Sequence, residues 1–396
     1  MRNSRNLRKQ FSDELTDNIL NYWVTRVYDP RRKMFYGQIG HDEQADPEAP
    51  LGCVMVSRII WTFAAAWHHF PTVLYRNMAD EAWRILESHF HDKQHGGYFW
   101  EVKPDGTPVD DSKQFYAQSF VIYALAEYAR VFDHSASRAK ALELFRLLEK
   151  HAFDPVNGGY FEAASRDWQG PARDYITPVG ERMKKSMNTH LHVLEAYTNL
   201  YRIAPREEIG QRIALLLEIF MRHIINPENH HFHMFFDTDW SVQYTAISYG
   251  HDIEGTWLLH EAAVVLGDHA LMEKLLPMIT AMAAAVGREA IDPSGGLYNE
   301  ADKGHIDKDF HWWPQAEAVV GFWNAWQLTG EKQFRKWSEE AWKFIRKYQR
   351  DGQHGDWHWL ITPDLKVKPM DKVSPWKCPY HNGRMCMEMM HRLSES

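Results

Sequence analysis

Gly96-Gly97-Tyr98-Phe99 and Gly158-Gly159-Tyr160-Phe161 are two copies of one short pattern, and reading them as a repeat decides the fold. Looser copies run through Met34-Phe35-Tyr36-Gly37, His231-Phe232-His233, Gly295-Gly296-Leu297-Tyr298 and Gly355-Asp356-Trp357-His358. A spacing of roughly 60 to 70 residues suits one pair of helices plus a loop per copy. Each aromatic, glycine-rich patch reads as a short hairpin. A polar loop follows, and then an amphipathic helix whose opening residues are polar. These are Arg58, Tyr116, Asn188 with His192, His251 with Glu254, Trp313 with Glu317, and His381 with Arg384. About six helical hairpins, each offering polar groups from an equivalent position, predict a closed toroid around one central pocket.

The helices themselves come from periodicity. Apolar residues recur at i, i+3, i+4 and i+7 over Phe11 to Val27, Val54 to His69, Asn77 to Phe90 and Tyr116 to Phe132. The same pattern covers Ala139 to His151, Thr189 to Ile203, Ile209 to Ile225 and Ile253 to Leu266. It continues over Leu271 to Val286, Gln315 to Thr329, Lys332 to Arg350 and Gly383 to Leu393. Between alternate helices lie short strand-like runs with turn residues, such as Gly97-Tyr98-Phe99-Trp100 before Pro104-Asp105-Gly106, or Leu360 to Leu365. Such short, hairpin-like strands do not support a parallel βαβ alternation. The expected class is all-α, an (α/α)6 barrel of about twelve helices with short β-hairpins on the active-site face. It forms a single catalytic domain over residues 1–396. Inner helix starts would crowd one mouth and turn their positive dipole ends toward the pocket, which suits an anionic intermediate. The longest irregular stretch, Ala164 to Ser186, reads as a lid or as an inert surface loop.

Composition narrows the function classes. A content of 44% apolar and 25% charged residues is that of an ordinary globular protein, and a net charge of -8 argues against nucleic acid and anionic membranes as partners. Cys53, Cys378 and Cys386 form no CxxC pair and no even disulfide set, so a reducing cytoplasm is expected. Met1 to Leu15 is charged throughout, and neither a secretory signal nor a membrane span is expected. The chain has 17 Trp. Trp312, Trp313, Trp357, Trp359 and Trp376 sit in loops or at helix starts, where rings form stacking surfaces for sugars; core filling is the competing reading.

The chemistry-bearing residues group by helical spacing. Asn188 and His192 are i,i+4, His251 and Glu254 are i,i+3, Trp313 and Glu317 are i,i+4, and His381 and Arg384 are i,i+3. Among 23 histidines a lone imidazole is more often structural, and His190, His260 and His391 are read so. His192, His251 and His381 occupy the repeat's functional position instead. Glu254 orients an imidazole or contacts substrate. Arg58 is either a structural ion or an anion-holding group. No HExxH, GxGxxG, P-loop or GxSxG pattern is present, so neither a metal nor a nucleotide cofactor is expected. Neutral histidines on opposite sides of a carbon can remove a proton from one face and return it to the other. An arginine on the adjacent oxygens would stabilise the enediolate between those steps. That is cofactor-free epimerisation beside a carbonyl, with an opened aldose as substrate.

Four ordered blocks then carry a resemblance. They are Ser186 to Tyr197 (SMNTHLHVLEAY), Gly250 to Trp257 (GHDIEGTW), Trp312 to Ala318 (WWPQAEA) and Pro379 to Arg384 (PYHNGR). Over nearly its whole length the chain resembles the N-acylglucosamine 2-epimerase superfamily, and within it the cellobiose 2-epimerase branch. The resemblance implies the (α/α)6 barrel and a small-molecule sugar substrate. It makes His251 and His381 the acid/base pair at C2, with His192 assisting ring opening or proton handling. Arg58, Tyr116 and Asn188 would hold O1 to O3 of the open sugar. Glu254 and Glu317 would position histidines or hydroxyls, and Trp313 and Trp376 would stack on sugar rings, Trp376 under the second sugar. A monomer is expected in preference to a homodimer. The rival readings are a mannose or glucose 2-epimerase or aldose–ketose isomerase of the same superfamily and, from a different class, an (α/α)6 glycoside hydrolase using Glu254 and Glu317. A non-catalytic sugar-binding protein would account for the tryptophans but not for three convergent histidines.

Overall fold

Inner helices form a ring. They are α2 (Cys53–His69), α4 (Phe115–Phe132), α6 (Met187–Ile203), α8 (Tyr249–Leu266), α10 (Trp312–Thr329) and α12 (Tyr380–Arg392). Each packs on the next, and α12 returns to α2, so the ring closes. The outer set is α1 (Arg2–Asp13), α3 (Val73–Ile85), α5 (Ser135–His151), α7 (Glu207–Ile219), α9 (His269–Glu289) and α11 (Lys332–Phe344). Helices α3, α5, α7, α9 and α11 pack on the inner helix that precedes them, and α1 packs on α12. This is the expected (α/α)6 barrel, seen in a computed structural model that describes residues 2–173 and 183–394. The lid reading of Ala164 to Ser186 falls in part on 174–182, outside the described residues.

Burial follows from the two layers. Helix α4 is buried without a break from Phe115 to Ala129, because its outer face meets the outer ring and its inner face meets the barrel centre. Helix α11 buries only Phe334, Ser338, Ala341, Trp342 and Phe344, the stripe of an amphipathic surface helix. Among the described residues, α9 alone is long and apolar enough to cross a membrane, and here it lies against α8 as an outer helix.

The predicted inner helices begin one to four residues late: α8 starts at Tyr249 where periodicity indicates Ile253, and α10 at Trp312 where it indicates Gln315. First turns carry polar and aromatic residues that face the pocket, so the apolar pattern opens only after them.

The glycine-rich patches are minimal hairpins: Tyr28–Asp29 pairs antiparallel with Met34–Phe35, and the later patches make single antiparallel bridges such as His91 to Tyr98 and Phe153 to Tyr160. Each closes a tight loop after an outer helix, anchored by an Asp or Asn. Asp92 Oδ1 accepts from the backbone of Gln94 and His95, Asp154 Oδ1 from Val156 and Asn157, and Asp351 Oδ1 from Gln353 and His354. Asp29, Asn226 and Asp292 accept in the same way. Gly159 stands at φ +79°, and a Cβ there would lie 2.5 Å from Trp240 and 2.6 Å from His190 Nε2, so only glycine fits. Further strands follow a few residues later. Glu101–Val102 pairs with Pro108–Asp110 on one side and with Leu51–Gly52 on the other, just before α2. Lys185–Ser186, Ile247–Ser248 and Phe310–His311 are pinned in the same way before α6, α8 and α10. These small sheets fix the helix starts that form the pocket. Buried lysines lock them further: Lys113 and Lys185 reach the loop anchors Asp92 and Asp154 at 3.0 and 2.8 Å, and Lys372 reaches Asp351 at 2.8 Å.

Candidate active site

One cavity of about 260 Å³ opens where the inner helices begin, lined by Arg58, Tyr116, Asn188, His192, His251, Glu254, Trp313, Trp376 and His381. Of the residues expected around the pocket, Glu317 and Arg384 are absent from this lining; Glu317 lies behind His381 and Arg384 behind Glu317. His311, Trp312 and Trp359 complete the walls. Trp357 does not. It is fully buried and donates its indole N–H to Glu14 at 2.8 Å, so its stacking role is corrected to core filling.

Each imidazole is held through Nδ1 by a different partner. His192 meets Glu195 Oε2 at 2.8 Å, His251 meets Ser248 Oγ at 2.8 Å, and His381 meets Glu317 Oε1 at 2.7 Å. With Nδ1 engaged, Nε2 is the ring nitrogen left for chemistry. The Trp313 ring packs on both His251 and His381, at 4.6 and 5.5 Å between centroids. Burial keeps all three histidines neutral. It takes His251 down to about 3, helped by the charge His192 would carry. His381 is pushed well down by burial and by Arg58 and Arg384. His192 is lowered by burial, an effect its Glu195 partner opposes.

Behind the histidines lies a buried ionic hub. Arg384 donates to Glu195, to Glu254 at 2.6 Å and to Glu317 at 2.7 Å. Tyr380 also donates to Glu195, and Trp257 donates to Glu317 Oε2 at 3.0 Å. Burial alone would raise Glu195, but Arg384, His192 and Tyr380 hold it down to about 2. Glu254 goes the other way, to about 8, through burial and the adjacent Glu317 charge. The extra proton belongs on Glu254, because its Oε2 has no hydrogen-bond partner among the described residues whereas both oxygens of Glu317 accept from N–H donors. Glu254, Glu317 and His381 bring three ligand-type atoms within 4.8 Å of one another, and the cation they already hold is the Arg384 guanidinium.

The pocket offers free polar groups as well. Arg58 is buried against the faces of Phe120 and Tyr380, at 4.3 and 4.9 Å, and donates to the Tyr116 hydroxyl at 3.0 Å. Arg58 Nε and Asn188 Oδ1 are buried without hydrogen-bond partners among the described residues. Asn188 and His192 are aimed by the start of α6, where Ser186 Oγ caps Thr189 N at 3.0 Å and Glu162 grips Ser186 N and Thr189 Oγ1 at 2.7 and 2.6 Å. Trp376 is partly exposed at the rim, 5.8 Å from Trp100 and 6.1 Å from Tyr116.

Sequence reasoning missed Glu195, Ser248, Tyr380 and His311, and saw Arg384 without giving it a role. Glu195 carried a usable signal, since it lies i+3 from His192 on the same helical face. Ser248 and His311 lie just before helix starts, where no periodicity points to them.

Comparison with known proteins follows the same outline. A model of the N-acylglucosamine 2-epimerase family matches residues 35–384. The chain is 40% identical over 387 residues to a cellobiose 2-epimerase of Bacteroides fragilis, covering 97% of this chain and 98% of that one. It is 36% identical to a cellobiose 2-epimerase of Dictyoglomus turgidum, covering 98% and 99%. A solved structure of cellobiose 2-epimerase from Bacillus thermoamylovorans B4167 superposes with a TM-score of 0.94 at 34% identity, over 98% of this chain and 100% of that one.

Proposed function

The chain belongs to the N-acylglucosamine 2-epimerase family, and from that premise we propose that it epimerises C2 of the reducing-end glucose of a β-1,4-linked disaccharide, interconverting cellobiose and its glucosyl-mannose form. The observation that carries this reading is the three imidazoles lining one pocket, each pinned through Nδ1. Nothing in the step needs a cofactor.

His192 handles the proton that moves when the ring opens. His251 and His381 then act at C2: one takes the proton and the other returns one to the opposite face. Negative charge developing on the enediolate oxygens meets the buried Arg58 guanidinium, where an oriented charge counts most. Asn188 and Tyr116 complete the hold on O1 to O3. Protonated Glu254 offers a hydrogen to a substrate oxygen. Glu317 keeps His381 aimed, and the imidazolium that His381 becomes is stabilised by that carboxylate. Trp313 forms the floor under the reacting sugar, and Trp376 at the rim receives the second sugar.

The hydrolase reading needs two carboxylates facing each other across a scissile bond. Glu254 and Glu317 share one guanidinium nitrogen, and Glu317 sits behind His381 rather than in the cavity. We propose a monomer in preference to a homodimer. Three buried free cysteines suit a reducing compartment, and we place the enzyme in the cytoplasm.

Incubation with cellobiose and, separately, with mannose tests the substrate, with products resolved by chromatography. Glucosyl-mannose from cellobiose is expected. Turnover of mannose alone would move the activity to monosaccharides, and release of glucose from cellobiose would overturn the epimerase reading.

A further inference from the structure

At the opposite end of the barrel, the last turns of the inner helices surround a second chamber of about 520 Å³. Trp61, Tyr123 and Trp257 form its aromatic wall, with Trp61 and Tyr123 stacked at 5.3 Å. Its guanidiniums are already engaged. Arg130 holds Glu127 at 2.6 Å, Arg202 holds Glu261 at 2.7 Å, and Arg392 pairs with Glu388 at 3.5 Å while donating to Gln327 at 2.7 Å and Asn324 at 3.0 Å. His69 is pushed down to about 4 by burial and then by the charge of His68, and burial lowers His260 too, so both are neutral.

These facts select the ligand's chemistry. Paired ions leave no net positive charge for an anion, and helix C-termini disfavour one further. A free cation would meet three guanidiniums. A neutral molecule with flat apolar faces and hydroxyl edges fits both the aromatic wall and the rim of amides and ion pairs. Trp61 is more than nine-tenths buried, and its indole N–H has no hydrogen-bond partner among the described residues. The chamber also touches the catalytic machinery. Trp257 lines it while donating to Glu317, the carboxylate that holds His381, and Arg384 lies 4.7 Å over the same indole.

We propose that this far chamber is a second saccharide site, taking a neutral sugar against Trp61, Tyr123 and Trp257, one indole away from Glu317. It stands apart from the question of which sugar the catalytic pocket turns over.

Calorimetric titration with methyl β-cellobioside, whose blocked reducing end prevents reaction, tests it on the wild type and on two variants that fill the chamber. Ala65→Phe adds bulk on the wall. Val264→Trp does so from the rim, where Val264 is 56% exposed, and keeps the test open should the first variant fail to fold. The wild type is expected to show two sites, and each variant to lose one while turning over cellobiose as before. A single site in the wild type, unchanged in both variants, would overturn the proposal.

Discussion

Glu254 is the residue whose protonation the site makes most consequential. Burial and Glu317 raise it to about 8, so at neutral pH it carries a proton and its unpartnered Oε2 has a hydrogen to donate. As pH rises through about 8 that hydrogen is lost and a negative charge appears beside the forming enediolate. Turnover is therefore expected to fall on the alkaline side. Glu254→Gln, which keeps an N–H donor and cannot ionise, should flatten that limb; a pH–rate profile with the limb unchanged would remove Glu254 from this role. His381→Ala should cost about 10²- to 10⁴-fold in kcat, the range for a positioned acid/base group, while cellobiose binding persists in a titration. Turnover left intact would take His381 out of the mechanism.

The helix start is the element that joins fold to site. Lys185 is fully buried just ahead of α6 and binds Asp154 as well as the carbonyls of Gly158 and Thr238, at 2.8, 2.7 and 2.8 Å. Lys185→Ala leaves Asp154 with an uncompensated charge, and denaturant unfolding should show a loss of about 3 to 5 kcal/mol. Asp154 is held down to about 2 from 3.8 against the opposing effect of burial. A depressed carboxylate contributes its stability above the ordinary pKa and loses it as pH falls through the folded value. Acid unfolding of the wild type should therefore gain a component between pH 3.8 and about 2 that the variant lacks. Much of this level was legible in the sequence. Periodicity located the helices, since burial imposes it, and the spacing of Asn188 from His192 and of His251 from Glu254 placed pocket residues on common faces. Exact starts were not legible, because first turns such as Tyr249 to Asp252 carry the site's own residues in place of an apolar stripe. Trp357 and Trp376 looked alike, each flanked by polar residues; what separates them is a buried Glu14 lying 343 positions from Trp357, which no local pattern reveals.

At the scale of the whole molecule, a closed ring of helices sends each start to the same mouth, so one pocket draws on distant parts of the chain. Arg384 ties α6, α8 and α10 to α12 by holding Glu195, Glu254 and Glu317 together, and this explains how histidines from separate helices keep one geometry. The same enclosure predicts a side product. An enediolate held at O1 and O2 accepts a proton at C1 as well as at C2, so slow formation of the ketose should accompany epimerisation and be visible by NMR in long incubations. Proton NMR of the enzyme with cellobiose in deuterated water tests the central claim most directly. Two-histidine proton transfer predicts deuterium at C2 of the glucosyl-mannose as it forms. Glucosyl-mannose that appears with its C2 hydrogen still protium would contradict it.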